Sequence, residues 1–107
     1  MMDDERMAVV MGIIMHGGNA KGHAFQAIQL AKKGDFDGAD AEIKEADASL
    51  KEAHDVQTDL LTKEAQGEHT DVDLYMVHAQ DHLMNGITFR DLAVEIIAVY
   101  RKIAGVN

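Results

Sequence analysis

Three ionisable side chains, His78, Asp81 and His82, lie close together in the stretch Met-Val-His-Ala-Gln-Asp-His-Leu-Met of residues 76–84. Spacings of three and four residues place all three on one side of an α-helix. A neutral imidazole is a competent nucleophile near neutral pH, and it can accept a phosphoryl group on nitrogen and release it again. We therefore predict that His78 is a nucleophile for phosphoryl transfer. The alternative is a structural histidine that is hydrogen-bonded in a helix interface.

Asp81 and His82 also fit a metal site, provided that other helices or subunits supply further ligands. They do not form the His-Glu-x-x-His pattern of zinc proteases, because the acid directly precedes the second histidine. On a face turned toward a symmetry axis, copies of Asp81 would crowd together. Crowded carboxylates either share protons or bind a hard cation such as Mg²⁺ through oxygen.

Two glutamines are candidates for supporting roles. Gln80 lies on the face of the helix away from His78, so it is either exposed without a role or reaches the histidine of a neighbouring subunit. From there its amide could donate a hydrogen bond to a bound phosphoryl group. Gln57 interrupts an apolar seam, which indicates either a structural hydrogen bond across a bundle or support for the His78 pocket.

Three helices with short connections account for nearly the whole chain. Capping residues and glycines give their bounds as about Asp3 to Lys33 before Gly34, Asp35 to Gly67, and a Thr70–Asp73 capping box to about Ala104. Short connections make consecutive helices antiparallel neighbours. We predict an all-α, antiparallel three-helix bundle in which residues 1–107 are a single domain. The glycines in Gly17-Gly18-Asn19-Ala20-Lys21-Gly22 fail the phosphate-loop pattern and favour close helix approach or a kink.

The third helix carries two apolar stripes, roughly 150° apart around its axis. One continues from His78, Asp81 and His82 through Asn85, Phe89, Leu92, Ile96, Val99 and Ile103, and the other is Met76, Leu83, Ile87, Val94 and Ile97. We expect the first stripe to become core. Helices about 45 Å long form a thin rod that buries little of each helix. The extra stripe therefore predicts self-association.

Composition limits the classes of function. The 107 residues include no Cys, which excludes disulfides and thiolate chemistry and makes a reducing cytoplasm the expected location. A net charge of −9 counts against nucleic acid and anionic membrane surfaces as main partners. The longest strongly apolar stretch, Met7 to Met15, is too short to span a bilayer and follows acids rather than a basic segment.

The octapeptide Val77-His78-Ala79-Gln80-Asp81-His82-Leu83-Met84 resembles the signature of the lactose/cellobiose-type enzyme IIA family of the bacterial phosphoenolpyruvate-dependent sugar phosphotransferase system. Four further segments match in the same order and spacing: His16-Gly17-Gly18-Asn19-Ala20, Gly34-Asp35-Phe36, Ala53-His54-x-x-Gln57-Thr58 and Glu64-Ala65-x-Gly67-Glu68. The first of these looks more like the cellobiose/chitobiose branch than the lactose branch.

The resemblance implies a homotrimeric phosphotransferase component with nine helices in all. It implies that His78 accepts a phosphoryl group through Nε2 from the carrier HPr and passes it to a cysteine of the cognate IIB component. The sugar of the membrane transporter IIC, a β-linked disaccharide, is then phosphorylated during uptake. The resemblance also places Asp81 at the trimer axis, where one Mg²⁺ per trimer can bind, and Gln80 and His82 near the phosphorylation site.

Two other functions compete with this hypothesis. A histidine phosphotransfer domain of two-component signalling is also helical with a histidine on one face, but it exchanges with an aspartate of a response regulator. A non-catalytic metal-binding bundle would use His78, Asp81 and His82 to take up a transition metal. The phosphoryl donor distinguishes the first alternative, and stoichiometric metal uptake distinguishes the second.

Overall fold

The computed structural model of the chain describes residues 4–106 and, within them, contains three α-helices and no strand. These are α1 (Asp4–Lys32), α2 (Phe36–Ala65) and α3 (Leu74–Ala104). Short connections make each helix antiparallel to the next, so that α1 and α3 run parallel. The predicted three-helix bundle is therefore confirmed for the single chain. Its described part measures 53 × 23 × 18 Å, and none of its helices is long and apolar enough to cross a membrane.

Local sequence signals determine where the first two helices begin and end. Gly34 adopts a φ of 86° after α1, a conformation that favours glycine, and Asp35 then caps α2 by accepting a 2.9 Å hydrogen bond from the backbone NH of Gly38. Gly67, with a φ of 88°, follows the end of α2. The predicted start of the first helix at Asp3 lies outside the described residues.

Small residues form most of the core, and α1 lies between the other two helices. It packs along both α2 and α3, whereas α2 and α3 contact each other less extensively. Alanines recur at the buried positions of all three helices, and Val10, Ile13 and Leu83 are the largest fully buried side chains. Because alanine side chains are short, the helix axes can approach closely. The apolar seam that Gln57 interrupts lies on α2 and is confirmed, with Ala39, Ile43, Ala46, Leu50 and Ala53 buried.

The expectation that the stripe beginning at His78 becomes core is wrong within the chain. The second stripe is the buried one, since Met76, Leu83 and Ile97 are each at most 4% exposed. The distal part of the first stripe faces outward, with exposures from 40% to 76% at Leu92, Ile96, Val99 and Ile103. Each stripe contains five apolar residues, so their number alone does not decide which stripe is buried. Their roles are decided by Gly86 and the alanines beside the second stripe, which allow α1 to pack there.

Candidate functional site: a histidine pair on α3

Asp73 begins the helix that carries the candidate nucleophile. Its carboxylate accepts a 2.9 Å hydrogen bond from the backbone NH of Met76, and this bond, together with the nearby Arg6 guanidinium, lowers the pKa of Asp73. The predicted capping box led by Thr70 is wrong, because Asp73 is itself the N-cap. Thr70 instead accepts a 2.9 Å hydrogen bond from Arg6, which also contacts the backbone carbonyl of Asp71. Arg6 thus ties the start of α3 to α1.

His78 and His82 form a pair of facing imidazoles one turn apart. Their Nε2 atoms lie 3.2 Å apart, and the rings meet edge to face at 81° with centroids 4.6 Å apart. Only one hydrogen fits between two nitrogens at this distance, so one ring donates it and the other offers a lone pair. His78 is exposed and His82 is half-buried. The arrangement therefore presents an accessible ring nitrogen with a hydrogen-bonding group beside it.

The backbone beneath His82 is held by a close contact between α1 and α3. A Cβ atom built on Gly17 would lie 3.0 Å from the carbonyl oxygen of His82, and one on Gly86 would lie 3.0 Å from the carbonyl oxygen of Gly17. The two helices can approach this closely only because neither glycine has a side chain. Gly17 therefore allows α1 and α3 to approach closely. Close helix approach is one of the two roles predicted for the glycine-rich segment of α1, the other being a kink.

Gln80 lies on the other side of α3 from His78 and is hydrogen-bonded within the chain. Its Oε1 accepts a 2.6 Å hydrogen bond from Nε2 of Gln57 on α2, and both side chains are half-buried. The interpretation of Gln80 as an exposed side chain without contacts is wrong. The interpretation of Gln57 as a hydrogen-bonding residue across the bundle is confirmed. Within the chain, Gln80 and His78 project to different faces, so the structure does not bring these two together.

Asp81 is exposed on the outward face of α3. Within residues 4–106, no three His, Cys, Asp or Glu side chains come together as a metal site. A single carboxylate is a suitable oxygen ligand for a hard cation, but one ligand does not hold it. Asp81 could therefore bind Mg²⁺ only with ligands from other copies of the chain. The described residues likewise give no support to a metal-binding bundle built within one chain.

An apolar pocket of about 300 Å³ beside Gln80 was not predicted from the sequence. Leu60 and Leu61 of α2 line it together with Val72 of the α2–α3 connection and with Met76 and Val77 at the start of α3, and Gln57 and Gln80 border it. Several of these residues are well exposed, Leu61 at 62% and Val72 at 78%. The available signal was this excess of exposed aliphatic residues around the α2–α3 connection, outside the regular apolar seams. Such a surface is typical of a site where another molecule binds.

Residues 8–101 match the family model described as the lactose/cellobiose-specific IIA subunit of the phosphotransferase system. The galactose-specific EIIA component of Lactococcus lactis subsp. cremoris is 65% identical over 94% of this chain and 86% of its own length. The crystal structure of the cellobiose-specific enzyme IIA from Bacillus anthracis has 39% identity and a TM-score of 0.92, covering 100% of this chain and 97% of that one.

A second solved structure is the IIA(Chitobiose)–HPr complex of the Escherichia coli N,N'-diacetylchitobiose branch. It has 40% identity and a TM-score of 0.80, covering 92% of this chain and 95% of that one. The family resemblance noted in the sequence is thus confirmed over nearly the whole length. The chain belongs to the lactose/cellobiose-specific IIA family of the sugar phosphotransferase system.

Proposed function

We propose that this chain is a phosphocarrier that accepts a phosphoryl group from phospho-HPr on His78 and donates it to the cysteine of a IIB component. The observation that carries the proposal is the exposed imidazole of His78, whose Nε2 lies 3.2 Å from Nε2 of His82. The solved complex of a 40% identical chitobiose IIA with HPr supports HPr as the donor. The solved relatives named for cellobiose and N,N'-diacetylchitobiose support a β-linked disaccharide as the sugar phosphorylated by the associated IIC transporter.

The transfer exchanges one phosphorus–nitrogen bond for another. The lone pair on Nε2 of His78 attacks phosphorus in line, the bond to the HPr imidazole breaks, and that imidazole regains its electron pair. For Nε2 of His78 to carry no hydrogen, His82 must be the hydrogen-bond donor in the pair. When phosphorus takes that lone pair, the Nε2–H of His82 is free to donate to a phosphoryl oxygen instead. In the second transfer the thiolate sulfur of IIB attacks phosphorus, the bond to Nε2 of His78 breaks, and that nitrogen regains its lone pair.

A homotrimer would complete the site. The outward apolar stripe of α3 stays 40% to 76% exposed within the described chain and is long enough to pack against further helices. Viewed down the axis of α3, Asp81 lies between His78 and Gln80. At about 100° per residue, it is about 60° from His78 and about 100° from Gln80. If Asp81 faces a threefold axis, His78 and Gln80 project toward different neighbours. Gln80 of one protomer can then donate a hydrogen bond to the phosphoryl group on His78 of the next.

The same arrangement would gather three Asp81 carboxylates at the axis. Like charges this close require neutralisation, by shared protons or by one hard cation bound through oxygen. We assign this position to one Mg²⁺ per trimer. Its role there is structural, since the ion neutralises the axis and takes no part in the attack by His78.

The test is phosphorylation by phosphoenolpyruvate, enzyme I and HPr. Wild type should form an acid-labile adduct that disappears when a cognate IIB is added, as phosphate moves to the IIB cysteine. His78→Ala should form no adduct, whereas His54→Ala, which removes another exposed histidine, should form it in full. A full yield of adduct on His78→Ala would overturn the proposal.

A further inference from the structure

The hydrogen bond between Gln57 and Gln80 fixes which end of the Gln80 amide faces α2. Nε2 of Gln57 donates to Oε1 of Gln80 at 2.6 Å, which turns the oxygen of Gln80 toward α2. The remaining contact of the Gln80 amide is Nε2 to the sulfur of Met76 at 3.4 Å, and a thioether is a weak acceptor. The NH₂ group of Gln80 therefore keeps donor capacity for another molecule.

We propose that Gln57 is a positioning residue for phosphoryl transfer. It holds Gln80 so that the amide NH₂, not the amide oxygen, meets the phosphoryl group on His78 of the adjacent protomer. This inference rests on the proposed function. The orientation matters because phosphoryl oxygens only accept hydrogen bonds, so an amide turned the other way would place oxygen against oxygen.

The position of Gln57 in α2 supports this role. It follows Ala53 in the seam that packs against the rest of the bundle, where every preceding member is apolar. An aliphatic residue would satisfy packing there equally well. Both glutamines are only half-buried, so water could satisfy either amide if their mutual bond were absent. Satisfying the two amides therefore does not require this bond, and we assign it the role of orienting Gln80.

Two substitutions at position 57 distinguish an effect on the orientation of the Gln80 amide from an effect on packing. Gln57→Glu can only accept, so Gln80 must turn its NH₂ inward and its oxygen outward. We expect transfer from phospho-HPr to slow by about 100-fold, the usual effect of losing one preorganised donor to a developing oxyanion. Gln57→Leu leaves the amide free to rotate and should slow transfer by roughly tenfold, because the productive orientation is one of several. Thr58→Glu adds the same charge at the next, exposed position and should transfer at the wild-type rate.

A double-mutant cycle and NMR distinguish positioning from a structural effect. In a Gln80→Leu background, Gln57→Leu should cause no further loss of rate, since Gln57 acts through Gln80. The side-chain ¹⁵N–¹H signals of Gln80 should shift on phosphorylation in wild type and stay unchanged in Gln57→Glu. The thermal midpoints of both position-57 variants should match that of wild type.

The outcomes that contradict the inference differ from those that contradict the proposed function. Wild-type transfer rates in both Gln57 variants, with a slow Gln80→Leu, would overturn the positioning role and leave the phosphocarrier intact. A wild-type rate in Gln80→Leu would overturn the role of both glutamines, provided that His78→Ala still forms no adduct. Only an adduct on His78→Ala would remove the function itself.

Discussion

A Cβ atom on Gly17 would lie 3.0 Å from the carbonyl oxygen of His82, so α1 and α3 touch through their backbones at the turn that carries the histidine pair. The three nearest neighbours of such a Cβ are backbone atoms of His82 and Leu83, which cannot move aside as a long side chain can. A substitution here therefore has to move one helix relative to the other. Stability and the geometry of the site are coupled through this contact.

Gly17→Ala should lower the free energy of unfolding by about 1–3 kcal/mol, the usual cost of forcing extra volume into a packed interface. Gly12→Ala is the matched control, since a Cβ there meets nothing within 4 Å. It should raise the free energy of unfolding by roughly 0.5–1 kcal/mol, because alanine loses less backbone entropy than glycine in a helix. Urea unfolding at one protein concentration measures both. Equal effects of the two substitutions would contradict the role of Gly17.

Asp73 should give the protein a dependence of stability on acid pH. Its pKa is lowered in the folded chain by the hydrogen bond from Met76 NH and by Arg6. A group with a lowered folded pKa contributes stability above its unfolded pKa, here 3.8, and the contribution is lost as pH falls through the folded value. Asp73→Asn can still cap the helix but has no charge. Its thermal midpoint should lie below that of wild type at pH 7, and the gap should close below pH 3.8. A gap independent of pH would show that the charge plays no part.

His82→Ala should still form the phosphohistidine, but about 100-fold more slowly, because the donor beside Nε2 of His78 is lost. His82→Gln retains an amide NH near that position and should recover part of the rate. Stopped-flow measurement of transfer from phospho-HPr distinguishes the three proteins. If His82→Ala transferred at the wild-type rate, the histidine pair would have no function beyond packing.

The sequence was sufficient to predict the number, order and approximate bounds of the helices, because capping residues such as Asp35 and Gly34 act locally. His78 could also be proposed as the nucleophile from the sequence, because two ionisable residues lie three and four positions after it. The sequence was not sufficient to predict which face of each helix is buried. Leu83 and Ile96 are both aliphatic residues on α3, yet the first is fully buried and the second is 40% exposed. That difference depends on Gly17 and Gly86, whose contact joins residues 69 positions apart in sequence and has no local signal.

The hydrogen bond of Gln80 was beyond sequence reasoning for a related reason. Helical geometry placed Gln80 correctly on the face away from His78. It did not indicate that Gln57, in the seam of α2, lies opposite Gln80 at the same height along the bundle. Such a pairing depends on the relative shift of two helices along their axes, and in this bundle that shift follows from how each packs on α1. The capping of α3 was misjudged because Thr70 and Asp73 both suit an N-cap, and only the contact of Thr70 with Arg6 separates them.

Asp81→Leu should yield an oligomer that is stable without a divalent cation. Replacing the carboxylate removes like-charge repulsion at the proposed axis and adds apolar surface there. Sedimentation in EDTA should show trimers for Asp81→Leu and partial dissociation for wild type. If the variant sedimented as a monomer under all conditions, Asp81 would instead be needed for assembly.

Ile96→Glu should convert the proposed trimer to monomers, because it places a charge in the middle of the outward apolar stripe of α3. Ala98→Glu provides the control, since it adds the same charge on an exposed position about 200° further around the helix. It should remain trimeric. Light scattering gives the mass of each, and circular dichroism should show the same helix content in both, since Ile96 is not part of the buried core of one chain. Monomeric Ile96→Glu should also accept phosphate more slowly than wild type, because His78 would lack the donor amide of a neighbouring Gln80. A monomer that transferred phosphate at the wild-type rate would show that each chain carries a complete site.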